Sequence, residues 1–360
     1  MQIRQNGDRL SEDPRNSIEA SRYFGNALEN SHSQGIKMNV SIIGGVGSPP
    51  FRGEEMTFAV VIPVRNRPDL LAQCLDSLRK QEFPEGEWEV LICDDGSTED
   101  ISPVVERFKS NLPNLRILRQ PPKGPAAARN LGFRSSPAEI FVCLDSDVLC
   151  GTGFIGAMVN ALREHQEWVA AEATMLPQGD KSILFDAPVN HGGTYGSGAS
   201  AYRAKALHQV GGFDEAFPFP ACEDVDLGAK LLGLGPYGYV PEAIVHHPSR
   251  RVTLKTYWEW RRFWKYVMIL GKRYGFLAFP GREIGKFPRL RVALAAVVTL
   301  PAGRFLESCA HLPKNPKEGL LASFYSLFDV ICGIFALPDI LLADVPPGRN
   351  YLLEKISHES

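Results

Sequence analysis

Asp145-Ser146-Asp147 stands where an apolar run ends, directly after Ile140-Phe141-Val142-Cys143-Leu144. Carboxylates at i and i+2 of an extended segment point to one side, so both reach one hard cation. Mg²⁺ or Mn²⁺ held by one or two carboxylates and by substrate phosphates is the usual arrangement at a diphosphate. Solvated loop acids or helix caps are the bland alternative. A second pair, Asp94-Asp95, closes another apolar run and precedes Gly96-Ser97. There a carboxylate can accept hydrogen bonds from an imide or from ribose hydroxyls, while the glycine permits the turn, although such turns are common in themselves. Glu223-Asp224 opens a stretch whose apolar positions Val225, Leu227, Leu231 and Leu232 fit one helix face. Acids in a first helical turn complement the helix dipole, and the chemical reading is a positioned carboxylate base. His246-His247 ends a further apolar run, where an imidazole would complete a metal site or simply serve the structure.

The elements that must position these groups follow from periodicity. FAVVIPV (58–64) is a short β-branched run fit for a buried strand. In LLAQCLDSLRKQ (70–81) Leu71, Cys74, Leu75 and Leu78 recur with helical spacing. Thereafter WEVLICDD, LRILRQ and IFVCL read as strands, and VVERFKSNL, AAARNLGFRSS and FIGAMVNALREH as helices. Strands alternating with helices of this length predict βαβ units and a mostly parallel, Rossmann-like sheet flanked by helices on both faces. In such sheets ligands bind beyond the carboxyl ends of the strands, which is where the acid pairs fall.

Composition bounds the rest. Of 360 residues, 39 are Lys or Arg and 41 Asp or Glu, a formal charge of −2, without the basic excess that a nucleic-acid partner demands. A 44% hydrophobic share with 22% charged residues excludes wholesale disorder. Seven scattered cysteines with no CxxC pair suit a reducing compartment. The polar opening MQIRQNGDRLSEDPRNS has no apolar core of a secretory signal, so a cytoplasmic location is expected. Residues 1–56 read as a flexible leader, 57–250 as the α/β domain and 251–360 as a helical region. That last region joins a basic, aromatic stretch (253–275) to apolar stretches at 291–300 and 320–343. It suits either a membrane surface, the inner face of the cell membrane for a cytoplasmic chain, or packing on the sheet domain or in a homodimer.

The order VVIPVRN, CDDGS, GPAAARNLG, LDSDV, GGFDE, EDVDLGAKL, PEAIVHH across residues 57–250 resembles family 2 of the glycosyltransferases, with the GT-A fold. The resemblance implies transfer of one sugar from a nucleotide diphosphate sugar, by family habit UDP-linked, to an acceptor hydroxyl with inversion. It also implies a divalent metal, Mn²⁺ or Mg²⁺. Carried over residue by residue, Pro63, Val64, Arg65 and Asn66 line the nucleotide pocket, and Asp95 with Asp94 beside it contacts base or ribose. Arg129 lies near the diphosphate. Asp145 and Asp147 form the DxD pair, with Asp147 the more direct metal ligand. Asp224 is the general base and Glu223 shapes the acceptor pocket. His247 is the third ligand to metal or diphosphate, with His246 the alternative.

Two departures refine the expectation. The processive synthases carry Q/RxxRW after the base, whereas WEWRRFWKY places Phe263 before Trp264, which favours a non-processive enzyme. Many relatives have Asn where Ala199 stands, which bears on sugar contacts. The expected acceptor is lipid-linked or a cell-envelope glycan. The competing readings are a nucleotidyltransferase, disfavoured because VIPVRNRPDLL holds no glycine, a sugar-nucleotide hydrolase, and a non-catalytic sugar-nucleotide binding or membrane scaffold protein.

Overall fold

The computed structural model describes residues 58–82, 88–112, 114–180, 182–220, 222–274 and 293–343; the expected 1–56 leader lies outside them. Three strand–helix units come first: β1 (Phe58–Val64) and α1 (Pro68–Leu78), β2 (Trp88–Asp95) and α2 (Ser102–Phe108), β3 (Leu115–Gln120) and α3 (Pro125–Arg134). Each helix starts with a proline in its first turn, where no N–H partner is needed and φ is preset. β4 (Ile140–Leu144) follows, then β5 (Leu149–Cys150), α4 (Phe154–Glu164), β6 (Ala170–Gln178) and β7 (Phe185–Asp186). β8 (Ala199–Arg203), α5 (Ala204–Val210), α6 (Glu223–Leu232), β9 (Tyr237–Pro248) and β10 (Arg250–Arg251) complete the α/β part.

Eight strands form one sheet in the order β3-β2-β1-β4-β8-β6-β9-β5. β3, β2, β1 and β4 run parallel, as the alternation predicts. β8 then inserts antiparallel between β4 and β6. Its small residues Ala199, Ser200 and Ala201 carry little strand signal of their own, and the sequence reading did not find it. The order turns at β1 and β4, so the ends of these strands flank the crevice where an open sheet takes its ligand. β1 is buried along its whole length. One core layer sets Leu71, Leu75 and Leu78 of α1 and Met158 of α4 against one sheet face, and a second sets Phe133, Phe141, Tyr202 and Phe213 against the other.

The C-terminal part is helical, as expected. α7 (Leu254–Trp260) begins at Thr253, whose hydroxyl and that of Thr256 form a capping box. α8 (Phe263–Tyr274) follows, then a π-helical turn (Ala295–Thr299), α9 (Leu300–His311) and α10 (Pro316–Leu341). α8 packs Val267, Met268 and Leu270 together with Val225 and Ala229 of α6, so the helical region buttresses the helix that carries Glu223 and Asp224.

Candidate active site

Asp145, Ser146 and Asp147 leave the end of β4, and the two carboxylates part company there. Asp147, 4% exposed, accepts a hydrogen bond on Oδ2 from Arg67 Nη1 at 2.8 Å and a second from Arg250 Nη2. Its Oδ1 lies 3.6 Å from His247 Nε2. β9 settles which histidine this is. His246 pairs in register with Leu149 and Leu176, while His247, buried, turns to Asp147. His247 Nδ1 stands 3.0 Å from the Pro248 carbonyl, which can only accept, so Nδ1 donates there and Nε2 is the nitrogen that faces Asp147. Asp145, half-buried, accepts from Arg129 Nη2 at 2.6 Å. The expected trio of Asp145, Asp147 and His247 is therefore divided. Among the described residues no three His, Cys, Asp or Glu side chains gather to hold a metal, because the buried guanidinium of Arg129 draws Asp145 away. Asp147 and His247 still offer one carboxylate oxygen and one imidazole nitrogen on one side, a partial shell that fits a divalent cation whose other ligands come from phosphates.

Arg129 links the halves of the site. It sits in α3, 3% exposed, over the Phe213 ring at 5.3 Å, with Asp145 on one amino group and Glu223 Oε1 at 3.4 Å from the other. Sequence placed it near a diphosphate; the structure places it beneath the carboxylates. Glu223 and Asp224 open α6 as expected, and they differ in surroundings. Glu223 is 3% exposed with Oε2 lacking a hydrogen-bond partner, whereas Asp224 is half-buried and accepts from Val225 N at 2.8 Å. Burial, then the neighbouring Asp224 charge, push the Glu223 carboxyl up to about 8 against the pull of Arg129. Burial also raises the Asp224 carboxyl. A raised carboxyl that still reaches solvent has the protonation behaviour of a general base.

At the other side of the crevice, the β1 end meets the β2 end. Val64 pairs with Asp94, Pro63 and Val64 are buried, and Arg65 and Asn66 are exposed. Asn66, at φ 52°, accepts on Oδ1 from Thr98 N at 2.7 Å and Glu99 N at 3.3 Å, tying the loop after β1 to the loop after β2. Asp94 accepts from Ser97 N at 2.9 Å. Asp95 has both oxygens taken: Oδ1 by Gln120 Nε2 at 2.8 Å and Lys123 N at 2.7 Å, Oδ2 by Gly124 N at 2.8 Å. Its side chain thus fixes the turn that leads into α3. Gly124 must be glycine there, since φ is +101° and a Cβ would lie 2.3 Å from the Pro218 carbonyl oxygen.

Three contributors escaped the sequence reading. Arg67, in the loop before α1, and Arg250, in the two-residue strand β10, are exposed, lie far apart in the chain, and carry no local signal of their joint contact with Asp147. Glu172, 2% exposed in the middle of β6, is cradled by the backbone N–H groups of Gly193, Thr194 and Tyr195 and by Asn190 Nδ2 at 2.9 Å. It orders the loop before β8, which ends with the Gly198 carbonyl accepting from Asp145 N at 3.0 Å. The one sign of it in sequence is a glutamate inside the apolar strand AAEATML.

Comparison with known proteins finds glycosyltransferases. Residues 59–184 match the family model described as glycosyl transferase family 2. A pre-mycofactocin glycosyltransferase of Mycobacterium tuberculosis is 30% identical over 221 residues, 56% of this chain and 45% of that one. A poly(ribitol-phosphate) beta-glucosyltransferase of Bacillus spizizenii is 31% identical over 113 residues, 31% of this chain and 18% of the other. The chain thus spans less than half the length of these curated relatives. Among solved structures, the mannosyltransferase PcManGT of Pyrobaculum calidifontis superposes with a TM-score of 0.52 at 19% identity, over 89% of this chain and 99% of the other, a likeness of fold.

Proposed function

We propose, from the premise that this chain belongs by its residues 59–184 to glycosyl transferase family 2, that it moves a single sugar from a nucleotide diphosphate donor to an acceptor hydroxyl with inversion. The observation that carries this reading is the Arg129 bridge, which brings Asp145 of the strand-end pair and Glu223 of the α6 pair to one guanidinium. Donor-side and acceptor-side acids thereby face one crevice at the end of β4. Asp224, with solvent access and a raised carboxyl, takes the acceptor proton as the hydroxyl attacks the anomeric carbon from the face opposite the diphosphate. No covalent intermediate is needed, so one base suffices. Glu223 bounds the acceptor side, and Arg129 fixes the spacing between it and Asp145.

The leaving diphosphate needs positive charge, and Asp147 with His247 would hold a divalent cation there, Mn²⁺ or Mg²⁺, which neutralises that charge when bound. Arg67 and Arg250 stand at the same carboxylate and offer guanidinium forks suited to phosphoryl oxygens. Pro63, Val64, Arg65, Asn66 and Asp94 border the nucleotide, and Asp95 shapes that border by holding the turn before α3. UDP is the proposed nucleotide, by family habit, and the acceptor a lipid-linked or cell-envelope glycan. The name of the Bacillus relative, a poly(ribitol-phosphate) beta-glucosyltransferase, supports an envelope acceptor.

The test is unfolding of the purified protein against UDP- and GDP-sugars, with and without Mn²⁺. A ligand at 100 times its Kd that binds only the folded state stabilises by about 2.7 kcal/mol. One donor should stabilise with metal, Asp147→Asn should abolish that shift, and Asp224→Asn should keep it while losing transfer. Full transfer by both folded variants overturns the reading. Free sugar released without acceptor, and no transfer with it, would make the protein a hydrolase.

A further inference from the structure

α10 is amphipathic the wrong way round for a helix in water. Its inward face, against α9, the π-helical turn and α7, is mostly small or polar, with Gly319, Ala322, Ser326, Asp329, Gly333 and Ala336 buried, while Ile340 is buried too and Tyr325 and Phe328 pack half-buried on α7. Gly333 lies so close to the π-helical turn that a Cβ would meet the Ala296 carbonyl oxygen at 2.4 Å. The polar groups of both helices turn toward each other. Arg304 of α9 pairs with Asp329, and Ser323 Oγ donates to Ser308 Oγ at 3.2 Å. The outward face carries the bulk: Leu320 at 64% exposure, Phe324, Leu327, Ile331, Phe335 and Leu342 at 75%. Leu306 of α9 is 68% exposed as well. Small residues at the helix contact and large apolar residues outside is the arrangement of helices in lipid, where the hydrocarbon rewards outward bulk and polar groups must be satisfied internally.

The length and the rim agree. From Leu320 to Pro338 the face runs about 27 Å along the helix axis with no exposed charged side chain, and the exposed Asp339 marks its end. Beside its C-terminal half, Trp258 of α7 contacts the Phe335 ring at 5.3 Å, and Arg261 covers Trp258 at 3.9 Å. Arg262 and Lys265 stand exposed next to them. A tryptophan flanked by cations at the border of an apolar face is the composition that settles at headgroup level on an anionic leaflet. α10 is held along its inner face by α7 and α9, and Arg304 is clasped over Tyr257 and Trp260 at 5.3 Å each. One side is thus committed to protein and the other to whatever covers it.

We propose that α9 and α10 form a monotopic anchor, with their outer face lying in the hydrocarbon of an anionic bilayer and α7 at its headgroups. A second copy of the chain is the rival occupant. The inference goes beyond sugar transfer and does not rest on it, since it is argued from the outer face of α10 and its rim alone.

The experiment is flotation of the full chain with vesicles of phosphatidylcholine and phosphatidylglycerol at 70:30, and with phosphatidylcholine alone. Expected is co-flotation with the anionic vesicles that survives a wash in molar salt and is released by detergent. Phe324→Glu with Ile331→Glu should cut the floated fraction at least tenfold while leaving the circular-dichroism melt unchanged, both sites being exposed. Release by salt alone overturns insertion. So does failure to float together with a dimer in solution that the same two substitutions dissociate. The double variant floating like the parent protein overturns the assignment of this face.

Discussion

Glu223 and Asp224 are adjacent in sequence and unequal in surroundings because about 100° of helix rotation separates inside from outside. Glu223 rests on the buried Arg129, and Asp224 opens toward the crevice. Asp224→Asn should lower kcat by about 10²–10⁴-fold, the range of a lost general base, with the donor KM unchanged; initial rates with saturating acceptor decide it. A fall in donor affinity instead would move Asp224 to the donor side. Arg250 predicts the opposite split. Its guanidinium is half-exposed and touches Asp147, so Arg250→Met should raise the donor KM up to about tenfold, the scale of one charge-assisted hydrogen bond, and spare kcat. The acids at these positions were legible in the sequence because a carboxylate closing an apolar strand has no packing role. Arg67 and Arg250 were not. An exposed guanidinium looks like any solvated charge until the fold brings two of them to one carboxylate.

Between elements, the decisive tie joins α8 to α6. Arg273 donates through Nη1 to Asp226 Oδ1 at 2.6 Å and reaches Asp214 Oδ2 with Nη2 at 2.7 Å, while Tyr274 Oη donates to Asp226 at 2.8 Å. Burial pushes the Asp226 carboxyl up, but Lys230 and Arg273 outweigh it and hold it below its ordinary value. Arg273→Met takes this cation from buried Asp214 and leaves Asp226 with Lys230, and it should destabilise the fold by about 3–5 kcal/mol. Arg273→Lys should recover part of that, read as urea midpoints at constant slope. An effect below 1 kcal/mol, on the scale of a surface pair, would mean that the cluster is hydrated rather than closed. This tie shows where sequence reading stops. β1 and β3 were read to their exact residues, β1 as a short apolar run and β3 as Leu-Arg-Ile-Leu-Arg-Gln between turn signals. The helices were placed to within a turn from their spacing. Asp214 and Asp226, however, stand inside GGFDE and EDVDL with no sign of a tertiary role, and their partner lies 47 residues beyond Asp226 in a stretch whose aromatics and cations pointed elsewhere. Tertiary ion pairs leave no periodic trace, and neither does β8, whose strand character comes from the neighbours it joins.

For the whole molecule, the site sets the pH at which the fold is most stable. In the α/β domain, burial raises the carboxyls of Glu172, Asp186, Glu223 and Asp224. A carboxyl raised in the folded state binds its proton more tightly there than in the unfolded chain. The folded state therefore holds more protons than the unfolded one between the ordinary value, 4.5 for glutamate, and the raised value, about 8 for Glu223. Stability then falls as pH rises through that window. Asp226 acts in the other direction: its carboxyl is depressed, so its contribution is present above the ordinary 3.8 and is lost only as pH falls below it. The two tendencies meet in mildly acid solution. Stability should peak near pH 5 and decline toward pH 8, with Glu223 alone contributing a slope of up to about 1.4 kcal/mol per pH unit. Glu223→Gln keeps the shape and removes the titration, so its urea-unfolding free energy should vary less between pH 5 and 8 and exceed that of the parent at pH 8. Should the variant show the parent's slope, or the parent grow more stable toward pH 8, Glu223 is ionised in the fold. The pair opening α6 would then be two charged acids rather than a neutral one beside a base.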